Sequence, residues 1–260
     1  MKEETTELLV IGSGIAGCAA ALAAAREGTH VTLATNATRP QDATSYWAQG
    51  GIAVGRKSPE SFAADIREAG AGESNPAAVD TLVTASNTAV NEILIVTLGV
   101  PFDRTEPTGN LDYAMEAAHT ESRILHVDAA TGRAILPRFL DYLADHQKVE
   151  ILEDTAALEL LTHEGQVHGA VLEQDSDWAP CYAGATILAT GGIGACYSGS
   201  TNPGGATGDG IAMAALAGAS VTDMEYVQFH PTAFDAADTG GDAEDGEGGT
   251  FLLSEALRGE

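Results

Sequence analysis

Apolar residues along the first thirty positions fall into two patterns separated by glycines. Glu7-Leu-Leu-Val-Ile11 reads as a short buried strand, and an Ala-rich helical stretch follows from Ala16 to Arg26, closed by Gly28. His30-Val-Thr-Leu-Ala34 then reads as a second strand. Strand, tight turn, helix and strand within about 30 residues make a βαβ unit, which places both strands in parallel in a doubly wound sheet. Residues 36 to 57 are polar and glycine-rich and read as loop. Pro59 to Ala69 predicts a helix, and Asn75-Pro76 starts another that runs toward Leu98. Residues 99 to 120 carry mixed turn signals. Helical periodicity returns from Ala129 to Leu143, and strands are predicted at Val149 to Leu152, Ala157 to Leu161, Gly165 to Leu172 and Tyr182 to Leu188. A second glycine turn, Ile187-Leu-Ala-Thr-Gly-Gly192, ends that β-element, and Gly208-Asp-Gly210 opens a helix to Ala217. Asp235 to Gly249, rich in acids and glycine, reads as a solvated loop.

At 260 residues the chain can bury a substantial core, and its 30 glycines with only 5% aromatics suit helices packed closely on a sheet. Charge changes the picture more. Asp and Glu number 38 against 12 Lys and Arg, a formal net charge of -26, which disfavours nucleic acid and anionic membranes as partners. Self-repulsion of that size calls for screening, so the surface reads as halophilic, adapted to high salt. Cys18, Cys181 and Cys196 are too few and scattered for a disulfide framework or zinc site, which fits a reducing cytoplasm. Leu8 to Ala25 carries no charge, but the residues before it are net acidic and glycines interrupt it, so neither an export signal nor a membrane span is expected.

Gly12-Ser-Gly-Ile-Ala-Gly17 is a G-x-G-x-x-G motif after a strand and at the start of a helix. Its first two glycines permit the turn and close approach of a pyrophosphate, the third permits close helix packing, and the helix amino end favours negative charge. The motif alone does not distinguish FAD from NAD. The second strand ends in Ala34-Thr35-Asn36 rather than an acid, so Thr35 or Asn36 must serve the ribose hydroxyls. The polar run Thr44 to Gly51 suits a flavin ring or pyrophosphate.

Beyond these, Tyr46-Trp-Ala-Gln-Gly-Gly-Ile-Ala53, Arg123-Ile-Leu-His126 with Ala130-Thr-Gly132, Ala189-Thr-Gly-Gly192, Thr201-Asn-Pro203, Gly208-Asp-Gly-Ile-Ala-Met213, Gln228-Phe-His-Pro-Thr232 and Ser254-Glu-Ala-Leu-Arg-Gly-Glu260 follow in order. With the glycine motif, they resemble the fumarate reductase/succinate dehydrogenase flavoprotein superfamily, and within it the L-aspartate oxidase family, over essentially the whole chain. The resemblance implies an α/β fold: a Rossmann-like FAD-binding domain over 1–234, its returning segment absent, then an acidic loop and the start of a truncated capping domain over 235–260. It implies FAD held noncovalently, because the position of the flavin-linking histidine of respiratory members is Thr44 here. The flavin shell it implies takes Gly12, Ser13, Gly14, Ile15, Ala16 and Gly17 at the pyrophosphate and Asn36 near the ribose. Thr44, Ser45, Tyr46, Trp47, Ala48, Gln49, Gly50 and Gly51 would line the isoalloxazine, with Ala156 and Ala157 near the adenine side and Asp209 accepting from hydroxyls or capping its helix.

On the substrate side the resemblance implies a dicarboxylate held by His230 of Gln228-Phe-His-Pro and by Ser254 and Glu255, with Glu116 recognising an ammonium. Alanines after Glu116, where glycines are common in the family, alter the local backbone. The implied reaction is oxidation of L-aspartate to iminoaspartate, with oxygen or fumarate as acceptor, the first step of de novo NAD biosynthesis. Its product would pass to quinolinate synthase. A succinate dehydrogenase or fumarate reductase subunit and a non-catalytic FAD-binding fragment are the competing readings. Family members continue past the Arg-Gly-Glu into a cap that supplies an active-site arginine, so this chain alone is expected to turn over poorly or not at all.

Overall fold

Strand β1 (Glu4–Ile11) alternates in burial over its first four residues and is buried on both faces over the last four, as a central strand covered on both sides must be. Helix α1 (Ile15–Arg26) follows the glycine turn, and Gly28, at φ +90°, turns the chain into β2 (Val31–Ala34), which pairs parallel with β1 from Leu8↔Val31 to Ile11↔Ala34. The computed structural model describes residues 2–56, 58–229, 233–235 and 250–252, and divides into two compact units, Met1–Trp47 with Phe139–Glu260 and Ala48–Arg138.

The second unit contains strand β3 (Ile52–Ala53) and two helices, each started by a polar cap followed by proline, which has no N–H to lose at that position. In α2 (Pro59–Ala69) the Ser58 hydroxyl accepts from Ser61 N at 3.4 Å. In α3 (Pro76–Ala89) the Asn75 side chain accepts from Ala77 N at 3.0 Å and Ala78 N at 3.3 Å. Phe62, Ala63, Val79 and Val83 join the two helices in a small core. The helix predicted to reach Leu98 continues, but as π-helical turns over Val90–Thr97. There Leu98 N reaches back five residues to Ile93 O, and the Thr97 hydroxyl donates to Glu92 O at 2.6 Å. The region of mixed turn signals holds a short hairpin, β4 (Arg104–Thr105) with β5 (Asn110–Leu111). Strand β6 (Ile124–Leu125) pairs antiparallel with β3.

Helix α4 (Thr131–Ala144) carries Pro137 inside it, and the Arg138 guanidinium donates to Ala134 O at 2.8 Å in the turn where the proline withholds its N–H. Strands β7 (Val149–Leu152), β8 (Ala156–His163), β9 (Gln166–Gln174) and β10 (Asp177–Leu188) complete a six-stranded sheet of order β7-β2-β1-β10-β9-β8. Positive φ at Glu164 and Gly165, and at Asp175 and Ser176, gives both hairpins the tight turns whose twist matches the strands. Strand β10 is longer than predicted. Its first half pairs antiparallel with β9 and its second half parallel with β1, so one strand joins the antiparallel and parallel parts of the sheet. Leu9, Ile11, Ala34, Leu160, Leu172 and Cys181 form the core against Met213 of helix α5 (Asp209–Leu216). Among the described residues no helix is long and apolar enough to cross a membrane.

Candidate functional site: a glycine-lined cleft

The carboxyl ends of β1, β2 and β10 meet at the glycine turn. Gly12 N donates to Ala34 O at 2.8 Å, and Ala189 N donates to Ile11 O at 2.8 Å. Gly12 sits at φ +108°, where a side chain would run into the Ala189 carbonyl, and a Cβ on Gly17 would run into the Gly12 carbonyl. Gly12 is therefore fixed as glycine by its positive φ and by the chain that follows β10, and Gly17 by the packing of α1 on the turn. Gly14 differs: it has ordinary extended backbone, and a Cβ there would meet only Ser45 Oγ, at 3.3 Å. Gly14 is also the cap residue of α1 and contributes no side-chain cap. The first turn of the helix thus offers its N–H groups to the cleft, as an anionic ligand requires. In that turn Ile15 N donates to Ser45 Oγ at 3.1 Å.

Thr35 and Asn36 separate into different roles. Thr35 is buried: its hydroxyl lies 2.9 Å from Ser13 Oγ and accepts from Ala37 N at 3.2 Å. Asn36 is exposed and lines the cleft, which leaves its amide as the group at the strand end open to a ribose.

The cleft has a volume of about 570 Å³, within the range of ligand sites, and its lining includes Gly12 to Ala16, Asn36, Thr44, Ser45, Ala156, Ala157 and Asp209. The Thr44 hydroxyl donates to Asn202 Oδ1 at 3.2 Å. Asp209 accepts from the Thr207 hydroxyl at 2.7 Å, and Gly208 stands at the cap position, so Asp209 lies in the first turn of α5 rather than capping it. Asp42 also lines the cleft. Burial pushes its carboxyl up, but hydrogen bonds from the Arg39 guanidinium and from the Thr38 and Arg39 amides outweigh this and hold it below its ordinary value. Cys18, just inside α1, is buried: burial raises its thiol to about 12, and its Sγ donates to Ser13 O at 3.2 Å. The uncapped helix end, the bare Gly14 and the exposed Asn36 together fit FAD.

Gly17 packs inside rather than lining the cleft. Tyr46 and Trp47 form an edge-to-face pair with ring centroids 5.4 Å apart, and Trp47 Nε1 donates to Gln41 O at 2.7 Å. Ala48, Gln49, Gly50 and Gly51 belong to the second unit, where Ala48 O accepts from Gly132 N at 2.9 Å and Gly51 abuts the Leu125 carbonyl. Glu116 is exposed on a loop of that unit, between the bridge of Ala114 to Ile124 and a turn in which His119 N donates to Glu116 O at 3.3 Å. Gln228 is exposed and outside any element. His230, Ser254 and Glu255 lie outside the described residues.

Sequence reasoning missed three groups. Thr190 and Gly191 line the cleft, and their motif was visible as a glycine turn. Ser220, Val221, Thr222 and Met224 also line it, in a stretch with no sequence signal. Asp65, buried in the second unit, receives Arg123 Nη2 at 3.0 Å and the amide and hydroxyl of Thr120 at 3.0 and 3.1 Å. The Thr120 amide, joined by its hydroxyl, Arg123 and His119, outweighs burial and holds the Asp65 carboxyl below its ordinary value. Among the described residues, no group of three or more His, Cys, Asp or Glu side chains could hold a metal ion.

Residues 7–260 match the family model described as an FAD binding domain. The chain is 57% identical to an L-aspartate oxidase of Halobacterium salinarum, over 98% of this chain and 49% of that protein. It is 40% identical to an L-aspartate oxidase of Mycobacterium leprae, over 99% and 48% respectively. It therefore spans about half the length of the curated relatives it matches. Among solved structures, an E. coli quinol fumarate reductase superposes with a TM-score of 0.89 at 26% identity, covering 100% of this chain and 43% of that one. The Mycobacterium smegmatis Sdh1 complex superposes with a TM-score of 0.85 at 28% identity, covering 90% and 42%.

Proposed function

The chain belongs to the FAD binding domain family of flavoprotein oxidoreductases and uses FAD, and from that premise we propose that it is the cofactor-holding part of an enzyme that oxidises L-aspartate to iminoaspartate. The observation that carries the substrate is the 57% identity to an L-aspartate oxidase across 98% of the chain. In this reading oxygen or fumarate takes the electrons, the step opens de novo NAD biosynthesis in the cytoplasm, and iminoaspartate passes to quinolinate synthase.

Bound FAD supplies the hydride acceptor. The first turn of α1, with Gly14 bare, holds the pyrophosphate; Asn36 binds ribose hydroxyls; Ala156 and Ala157 face the adenine side; Asp209 accepts from a sugar-chain hydroxyl. By the family resemblance Thr44 to Gly51 would line the ring system, and Thr44 offers no imidazole for a covalent link. Glu116 pairs with the substrate ammonium, while His230, Ser254, Glu255 and Gln228 hold the carboxylates. The halophilic surface belongs to this reading, supported by the net charge of -26 and by a Halobacterium relative.

The test is product formation by the full-length, FAD-loaded protein. L-aspartate should yield hydrogen peroxide in air, and fumarate should replace oxygen as acceptor. Flavin should leave the protein on acid precipitation. Yellow colour retained in the pellet, with succinate oxidised and aspartate ignored, would favour a respiratory subunit instead.

A further inference from the structure

The loop that carries Glu116 leaves the second unit's short sheet at Ala114, bridged to Ile124, and returns through Thr120 to Arg123. Both of its stems are held. The Arg56 guanidinium stacks over the Tyr113 ring, 3.9 Å from the centroid, and donates to the Ser122 carbonyl. On the returning side, the amide and hydroxyl of Thr120 converge on one oxygen of Asp65, from helix α2. The same oxygen takes Arg123 Nη2 at 3.0 Å, and His119 Nδ1 stands 3.8 Å away. Arg123 is fully buried. Its Nη2 also donates to Ser61 Oγ at 2.8 Å, its guanidinium carbon lies 5.0 Å from the Phe62 ring centroid, and among the described residues its Nε and Nη1 have no hydrogen-bond partner.

A buried ion pair gains little net stability over apolar packing of the same volume, so its consequence here is read from the geometry that it fixes. What is fixed here is the short arc from Met115 to Ala118, exposed and ending at Ala118 with φ +65°, on which Glu116 is carried. The alanines that follow Glu116 give the arc no side chain long enough to anchor it from within, so its aim is set from its stems.

We propose that Asp65 and Arg123 are positioning residues that set the aim of Glu116 and thereby select an amino-bearing dicarboxylate over one without nitrogen; this rests on the assignment of Glu116 to the substrate ammonium. Neither residue touches substrate. Asp65 holds Thr120 directly, and Arg123 holds Asp65 in place from the position just before β6.

The experiment compares Asp65→Asn, Glu116→Gln and the double variant in the full-length, FAD-loaded protein, with KM and kcat for L-aspartate and for fumarate. Each single variant should raise KM for aspartate by about tenfold, leave fumarate kinetics and flavin content within about twofold, and show no further loss when combined. Arg123→Lys, which keeps the charge but loses the fork, should fall between Asp65→Asn and the parent. If Asp65→Asn does not yield folded holoprotein, Thr120→Val, which removes only the hydroxyl contact, carries the same comparison. Equal losses for aspartate and fumarate, or an Asp65→Asn effect that adds in full to Glu116→Gln, would overturn the positioning role while leaving Glu116 in place. If Glu116→Gln itself leaves the aspartate-to-fumarate ratio unchanged, the assignment of Glu116 fails and the positioning role falls with it.

Discussion

Gly14→Val separates the cofactor from the fold at the one motif glycine where the two come apart. Gly14 has φ -64° and ψ 177°, so valine meets no backbone strain, and the nearest neighbour of its Cβ would be Ser45 Oγ at 3.3 Å, a tight contact that the serine hydroxyl must yield to. The cost to folding is that of a poor cap residue, about 1 kcal/mol. The cost to binding is larger. In the proposed site a branched side chain over the first turn of α1 would displace the pyrophosphate from its amides, and losing one or two charge-assisted hydrogen bonds at about 1.5–3 kcal/mol each predicts a rise in Kd for FAD of about tenfold or more. Titration of apoprotein with FAD, followed by flavin fluorescence, measures the second quantity, and thermal unfolding of the same apoprotein measures the first. Gly17→Ala is the control, because its Cβ would run into the Gly12 carbonyl and should lower the melting point before any ligand is added. A Gly14→Val protein that melts like the parent and binds FAD with unchanged affinity would refute the placement of the pyrophosphate.

Gly51→Ala should destabilise the second unit by about 1–3 kcal/mol in urea unfolding, because its Cβ would run into the Leu125 carbonyl across the β3–β6 pair. Asp65 contributes stability that is fully present above its unfolded value of 3.8 and is lost as pH falls through its lower folded value; Asp65→Asn should therefore flatten the acid limb of stability against pH. The net charge of -26 predicts a thermal midpoint that climbs as salt is raised toward molar concentration, and a midpoint insensitive to salt would contradict the screening argument.

How far the sequence reaches depends on whether a residue's role is local. The turn at Gly12, the helix start at Ser58-Pro59 and the cap at Asn75 were legible because each depends on backbone geometry within a few residues. Strand β10 read short because Pro180 and the charged turn before it break the apolar pattern, while its pairing with β9 is set by the partner strand. The second unit left no boundary in the pattern, since α4 carries one helical periodicity across its end at Arg138. That the Thr35 hydroxyl turns inward was not legible, because its partner, the Ser13 hydroxyl, is distant in sequence. Asp65 was invisible for the same reason: one acid among 38 is distinguished only by the arginine and threonine brought to it.

The proposed oxidation of an amino dicarboxylate is tested most directly by an anaerobic titration of the full-length holoprotein. L-aspartate should bleach the flavin absorbance stoichiometrically, and added fumarate should restore it, whereas succinate at the same concentration should leave the spectrum largely oxidised. Bleaching by succinate with none by aspartate would contradict the account.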